Sequence, residues 1–427
     1  MKLALNNGKV FIKGKLEKTN ILIENNSIID ISKNAFKAEH EMDCKNKLIL
    51  PGAIDCHVHF RTPGAEYKED FFSGSLAAIH GGVTTVMDMP NTLPRTATKL
   101  AFDKKKELAK ESFVNIDFFM AVSPTNHKEI EKTKPRALKL YFGSTTGSTA
   151  MNEPKEVEKI FKLAKKLKIP VTIHAEDEEI IEENSEKYRM EKNPNTHVKV
   201  RSEIAETKAI EEVLEIQKKI GNKIHIAHVS TKKSLELIAK AKKRKNGKEI
   251  TCETTPNYLF LDSSDYKNLK NLMKCNPSIK GPKDKEALMK GLINRTIDIV
   301  ATDHAPHSFE EKKKEYWDAP SGIPGVETMV PLLLDAVNRK EITLKTFVEA
   351  VSEKPAEIYS WTKKGKIEKG FDADLIIVDM EKEYRILNEK LFTKARYSPF
   401  NKKKLKGFIE QTIIGGQIYG WKRSTCT

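Results

Sequence analysis

The stretch Asp55-Cys56-His57-Val58-His59-Phe60-Arg61 decides the fold. Successive side chains of a strand point to opposite faces. Read as a strand, it sets Asp55, His57, His59 and Arg61 on one face and Cys56, Val58 and Phe60 on the other. Two histidines on one face, beside an arginine and backed by apolar residues, suit the grip of a divalent ion better than they suit packing.

Outward from that segment the pattern recurs. His174 closes the apolar run Pro170-Val171-Thr172-Ile173, His228 follows Ile224-His225-Ile226-Ala227, and Asp303 follows Ile299-Val300-Ala301-Thr302. Each is a metal-competent residue just past a predicted strand. His225, by contrast, sits mid-strand and reads as a core residue. Strands are predicted over residues 53–60, 83–89, 114–122, 137–142, 171–175, 224–229, 250–254 and 297–302. Amphipathic helices are predicted between them, over 71–80, 99–110, 155–167, 204–219, 234–245 and 285–294. In one of these, Val157, Ile160, Phe161, Ala164 and Leu167 make a single apolar face at helical spacing. Eight strands alternating with helices over about 250 residues is the pattern of an α/β protein with a (β/α)8 barrel of TIM type, whose catalytic groups sit at the C-terminal strand ends. A doubly wound open sheet lacks support, because no Gly-x-Gly-x-x-Gly follows an early strand.

Both ends of the chain read differently. Short β-prone runs at 9–13, 20–24 and 27–31 are matched by others at 373–378, 407–414 and 417–420. Residues 1–51 and 362–427 are therefore assigned to one composite β-sandwich domain, and 52–361 to the barrel. Chain termini often lie close together.

The composition narrows the function classes. Of 427 residues, 75 are Lys or Arg and 60 Asp or Glu, a net charge of +15. The lysines are interleaved with glutamates, and no basic block is interleaved with aromatics as single-strand binders require. The excess reads as a solvated surface, with no nucleic-acid partner. Without an apolar run of 18 or more residues, no membrane span is expected, and the N-terminus does not read as a signal peptide. The five cysteines, Cys44, Cys56, Cys252, Cys275 and Cys426, are odd in number and widely spaced, which points to a reducing cytoplasm and no disulfide framework.

Lys139 lies inside the apolar strand Ala137-Leu138-Lys139-Leu140-Tyr141. Burying a lysine as a cation is costly. It either reaches solvent or an acid, or its neutral amine takes up carbon dioxide to become a carbamate able to bridge two ions. In the second case the ligand set is His57, His59, carboxylated Lys139, His174, His228 and Asp303. Nitrogen and oxygen donors without thiolate suit Zn2+, with Mn2+ or Co2+ as alternatives.

These motifs resemble those of the amidohydrolase superfamily and, within it, of the dihydroorotases. The likeness covers nearly the whole chain. It is carried by Pro51–Arg61, by Asp88-Met89-Pro90-Asn91-Thr92, by Lys139-Leu140-Tyr141, by His174-Ala175-Glu176 and by Ala227-His228-Val229-Ser230. Cys252-Glu253-Thr254-Thr255-Pro256, Thr302-Asp303-His304-Ala305-Pro306-His307 and Gly322-Ile323-Pro324-Gly325-Val326-Glu327-Thr328 complete it. Ser202 stands where proline is common. The resemblance implies two Zn2+ per subunit bridged by carboxylated Lys139, and reversible closure of N-carbamoyl-L-aspartate to (S)-dihydroorotate with loss of water, in pyrimidine (UMP) biosynthesis. A hydroxide made at the ion pair attacks the ring carbonyl, and Asp303 shuttles the proton. Arg61, Asn91 and His307 would hold the substrate carboxylate. Asn276 and the backbone at Ser321 and Gly322 would hold the ring amides, with His59 beside them. Thr145 and Thr146 resemble a mobile substrate loop; a plain surface loop is the other reading. A hydantoinase, dihydropyrimidinase or allantoinase would use the same metals on a ring without the carboxylate, so Arg61 discriminates. A catalytically inactive homologue serving as a scaffold would lack ligands, and here every position is filled. A homo-oligomer or a pyrimidine-pathway complex is compatible with the sequence.

Overall fold

Runs of β-branched and aromatic residues with polar turns between them build two sheets in the computed structural model, which describes residues 2–145, 147–148 and 150–420. At the N-terminus, β1 (Lys2–Ile12), β2 (Lys15–Glu24), β3 (Ser27–Ser32), β4 (His40–Asp43) and β5 (Leu48–Pro51) form five strands. The barrel strands come next as β6 (Ala53–Val58), β7 (Val83–Asp88), β8 (Asn115–Ala121), β9 (Ala137–Phe142), β10 (Val171–Ala175), β11 (Ile224–Ile226), β12 (Ile250–Thr254) and β13 (Ile299–Val300). At the C-terminus lie β14 (Leu375–Arg385), β15 (Lys404–Ile414) and β16 (Gln417–Gly420).

The terminal strands share one sheet in the order β16-β15-β14-β5-β1-β2-β3, with β4 paired to β1. The junction is β5 against β14, antiparallel, with Ile49 opposite Ile377. The Ala373 N–H donates to the Asn26 carbonyl, and Ser27 bridges Asp372, so β3 returns to the start of β14. Leu3, Val10, Ile21, Ile28, Leu375 and Ile413 pack together inside this sheet. The strands β4 and β5 carry no clear alternation in sequence; pairing with β1, and for β5 with β14 as well, makes them strands.

The second sheet runs parallel from β6 to β13 in chain order, with a helix after most strands. Closure comes from a bridge between Val58 and His304, with the His59 N–H 2.8 Å from the His304 carbonyl. Six predicted helices are present as Phe71–His80, Lys99–Leu108, Pro154–Leu167, Glu203–Ile220, Lys232–Lys242 and Pro282–Ile293. Ser202 caps one of them: its side chain accepts from the Ala205 N–H. Outward-facing strand residues such as Leu138, Leu140, Val171 and Ile173 pack with helix residues such as Val157, Ile160, Phe161 and Ala164 in one large core.

At β6 the strict alternation fails. The β6–β7 register shifts between Asp55 and Val58, and a bulge inserts a residue and re-aims the side chains beyond it. Cys56 therefore packs with Ile54, Met87, Phe119 and Tyr359, whereas Val58 and Phe60 join the outer core with Phe71. Cys56 does not share a face with Val58 and Phe60 as expected. Arg61 also lies beyond the strand, at φ 62°, so a turn rather than strand parity aims it.

The four cysteines among the described residues, Cys44, Cys56, Cys252 and Cys275, are buried free thiols; Cys426 lies outside them. Surface lysines pair with neighbouring acids, as in Lys159–Glu156 and Lys290–Glu286. No helix among the described residues is long and apolar enough to cross a membrane.

Candidate metal centre and active site

The C-terminal strand ends converge on one cavity. His57, His59, Lys139, His174, His228 and Asp303 line it. So do Arg61, Asn91, Tyr141, Thr145, Asn276, Ser321 and Gly322. Arg61, His228 and Asp303 are held at φ 62°, 37° and 47°, a left-handed conformation that is uncommon for side-chain-bearing residues and clusters at functional sites.

His57, His59 and Asp303 place one ligand atom each within 4.8 Å of one another. Their outer contacts fix which nitrogen faces inward. Nδ1 of His57 lies 2.5 Å from Glu253 Oε1, and Nδ1 of His59 lies 2.7 Å from Asn91 Oδ1. Since Glu253 and the Asn91 oxygen are acceptors, each Nδ1 carries the hydrogen and each Nε2 keeps its lone pair. Those two Nε2 atoms sit 3.3 and 3.1 Å from Asp303 Oδ1. Lone pairs turned on a carboxylate oxygen repel unless a cation lies between them, so this donor set fits a divalent ion. Burial takes His59 down to about 4.

On the opposite side, Nδ1 of His174 faces Nε2 of His228 at 2.9 Å. Nε2 of His174 lies 3.1 Å from Glu176, which is also paired with Arg201. Arg201 in turn reaches the Ser144 carbonyl at 3.0 Å. Lys139 lines the same cavity, 1% exposed, its Nζ without a hydrogen-bond partner among the described residues. Burial lowers its pKa to about 8, opposed by Glu253 and Asp303. An amine so placed is partly neutral near physiological pH.

The remaining groups sit around this centre. Arg61 donates through Nε to the Pro306 carbonyl at 3.2 Å, and its NH2 is 3.3 Å from His307 Nε2. Among the described residues no carboxylate pairs with it. His307 stands one layer behind, with Lys68 Nζ 3.0 Å from its Nδ1 and the Ser321 carbonyl 3.1 Å from its Nε2. The Asn276 amide donates to Thr145 Oγ1 at 3.0 Å, which brings that loop to the cavity; Thr146 lies outside the described residues. Gly322 lines the cavity, but its N–H is bonded to the Lys274 carbonyl. Its own carbonyl accepts from Lys312.

Sequence reasoning missed the supports. Glu253 lies in a family motif yet carried no expected role; it holds His57, and its other oxygen is 3.0 Å from His225 Nε2. His225 is thus a core residue that orients a ligand's partner. Its signal was available: a histidine and a glutamate facing the barrel interior from adjacent strands. Asp55 accepts from the Thr302 N–H at 3.0 Å and from its hydroxyl at 2.5 Å, tying β6 to the segment that carries Asp303.

Comparison with known proteins agrees with this geometry. The amidohydrolase family pattern matches residues 48–419. The chain is 38% identical over 411 residues to the dihydroorotase of Methanosphaera stadtmanae, covering 93% of this chain and 92% of that one. It is 37% identical over 412 residues to the dihydroorotase of Pyrococcus furiosus, covering 96% and 91%. Among solved structures, the L-hydantoinase (dihydropyrimidinase) of Arthrobacter aurescens superimposes with a TM-score of 0.94 at 27% identity, covering 98% of this chain and 96% of that one. The dihydropyrimidinase of Brevibacillus agri gives 0.91 at 25%, covering 98% and 95%. With its barrel, its candidate ligand triad and these relatives, the chain belongs to the amidohydrolase family and is an enzyme of the cyclic amide hydrolase type.

Proposed function

We propose that the enzyme is a dihydroorotase, interconverting N-carbamoyl-L-aspartate and (S)-dihydroorotate in the cytoplasm. The observation that carries this reading is Arg61, a partly buried guanidinium at the cavity wall with no carboxylate partner among the described residues. A guanidinium fork matches a carboxylate bidentately, and dihydroorotate brings one. Hydantoin and dihydrouracil do not, although the solved hydantoinase structures resemble this one. The dihydroorotases of Methanosphaera stadtmanae and Pyrococcus furiosus point the same way.

His57, His59 and Asp303 would hold one divalent ion and His174 and His228 a second, with Lys139 joining them once its neutral amine is carboxylated; we assign zinc to both. When bound, such ions acidify water and polarise a carbonyl. The chain's own groups do the rest. Arg61 takes the substrate carboxylate, with the Asn91 amide and His307 beside it. Lys68 donates to Nδ1 of His307, which leaves the proton on Nε2, where the Ser321 carbonyl accepts it. Asn276 and the Ser321 backbone, closed over by Thr145, orient the ring amide. Asp303 accepts the proton of the attacking water and returns it to the ring nitrogen; in the biosynthetic direction it supplies the proton that lets water leave.

The test is a substrate panel. Wild type should open dihydroorotate well and dihydrouracil, hydantoin and allantoin poorly. Arg61→Ala should lose about 100-fold or more in kcat/KM on dihydroorotate, since a charge-assisted pair is removed. On a ring without the carboxylate it should change little. Equal losses on both would assign Arg61 a structural role and remove the main support for this substrate.

A further inference from the structure

Behind the cavity lie two buried lysines that the ligand set and the carboxylate pocket do not use. Lys312 is 2% exposed. Its ammonium has three donors and no acceptor. They reach the carbonyls of Lys274 at 3.0 Å, Pro320 at 3.0 Å and Gly322 at 2.9 Å. No carboxylate pairs with it among the described residues, and burial takes its pKa down to about 7. Lys274 is 7% exposed, and its ammonium donates to the carbonyls of Tyr316 and Ala319, both at 2.6 Å. The Lys274 carbonyl accepts from Lys312 and, at 2.9 Å, from the Gly322 N–H.

These bonds join two segments distant in sequence. One is Lys274-Cys275-Asn276, which carries the side chain that meets Thr145. The other runs from Tyr316 to Gly322 and carries the Ser321 backbone that meets His307. Gly322 sits at φ +148°, and a Cβ there would come within 2.3 Å of the Ala305 carbonyl. The second segment therefore has no slack at the cavity side. On its far side the two lysines hold it. Ammonium groups bonded only to carbonyls are a costly way to fill a core, which apolar residues could fill instead. Their particular gain is to aim five carbonyls at once.

We propose that Lys312 and Lys274 are positioning residues for the substrate, a clamp that sets the spacing between Asn276 and the Ser321 backbone. The inference rests on the reading that these groups meet the cyclic amide, and the experiment separates the two. Wild type, Lys312→Met, Lys312→Arg and Lys274→Met are compared in metal content, kcat and KM on dihydroorotate. Lys312→Met and Lys274→Met should raise KM about tenfold or more while kcat stays within about threefold and metal content is unchanged. Lys312→Arg, which keeps the charge and the donors, should recover part of the loss. An unchanged KM in folded Lys312→Met, or a fall in kcat and metal content together, would overturn the clamp. If wild type fails on dihydroorotate, the substrate reading is lost, and the same KM split is read on whichever of dihydrouracil or hydantoin it opens. If neither Met variant folds, hydrogen exchange of wild type decides. The amides of Ala319 and Gly322 should be as protected in the substrate-free enzyme as those of β9 and β10; exchange at surface-loop rates would refute a preset clamp.

Discussion

The barrel interior has two layers made by the same strands, and they are built on opposite principles. In the lower layer Ile54, Cys56, Met87, Phe119, Ala137 and Ile299 pack around Tyr359. One of its polar contacts is closed, the Thr172 hydroxyl 2.9 Å from the Tyr359 hydroxyl. One pleat higher, Ala137 gives way to Lys139, Thr172 to His174 and Thr251 to Glu253. There the Lys139 amine, the Tyr141 hydroxyl and His228 Nδ1 are buried without a hydrogen-bond partner among the described residues. Each such group costs about 1–3 kcal/mol. A core built for stability alone would not keep three together, so the lower layer carries the fold and the upper layer carries the chemistry.

That division can be broken from either side. The largest effect is expected at Asp303. Asp303→Asn keeps the size and an oxygen donor but cannot move a proton, so rates in both directions should fall by about 1,000-fold or more while metal content holds. Metal analysis beside forward and reverse kinetics checks this. A metal-replete variant with near-normal rates would hand the proton to another group, such as His307.

Lys139→Ala should come next, losing about 100-fold in kcat and part of the bound metal. A short carboxylic acid added to the assay should restore some of both. The pH dependence of assembly has a definite sign. Carbon dioxide adds only to the neutral amine, and burial places the Lys139 ammonium at about 8. Reconstitution of metal-free protein with zinc at a fixed concentration of dissolved carbon dioxide should therefore quicken as pH rises toward 8 and slow as it falls below. A rate that is flat over that range, or full activity in Lys139→Ala, would remove the bridge.

The lower layer should respond in stability rather than in rate. Phe119→Ala, at a fully buried side chain, should lower stability by about 3–5 kcal/mol. The fraction that remains folded should keep kcat/KM within a few-fold and its metal unchanged. Denaturant unfolding beside kinetics separates the two. A specific loss of metal in Phe119→Ala would show that the layers are not independent.

Much of this was legible in the chain. The strands at 137–142 and 171–175, the helix Phe71–His80 and the hairpin strand Gln417–Gly420 stand where the pattern puts them, because period-two and period-3.6 signals are local. His174 and Asp303 were visible for the same reason: a polar residue ending an apolar run is a local contrast. The strand β13 shrinks to Ile299–Val300, and β4 and β5 went unseen, since pairing partners rather than their own residues define them. Strand parity reached His57 and His59 but misplaced Cys56, because a bulge leaves no mark in a run of buried residues.

The sequence by itself determined the alternation of strand and helix, the split of one β domain between both ends, and the identity of the ligand-type residues. Each of these depends on residues close in the chain. The tertiary structure alone decided which nitrogen each histidine turns inward, since Glu253 is 196 positions from His57 and Asn91 is 32 from His59. It also decided that the Lys139 amine is left without a hydrogen-bond partner among the described residues and that Lys312 and Lys274 bind carbonyls there instead of acids. Those outcomes come from barrel closure, which brings strand ends together irrespective of their distance along the chain and removes the water that would otherwise satisfy them.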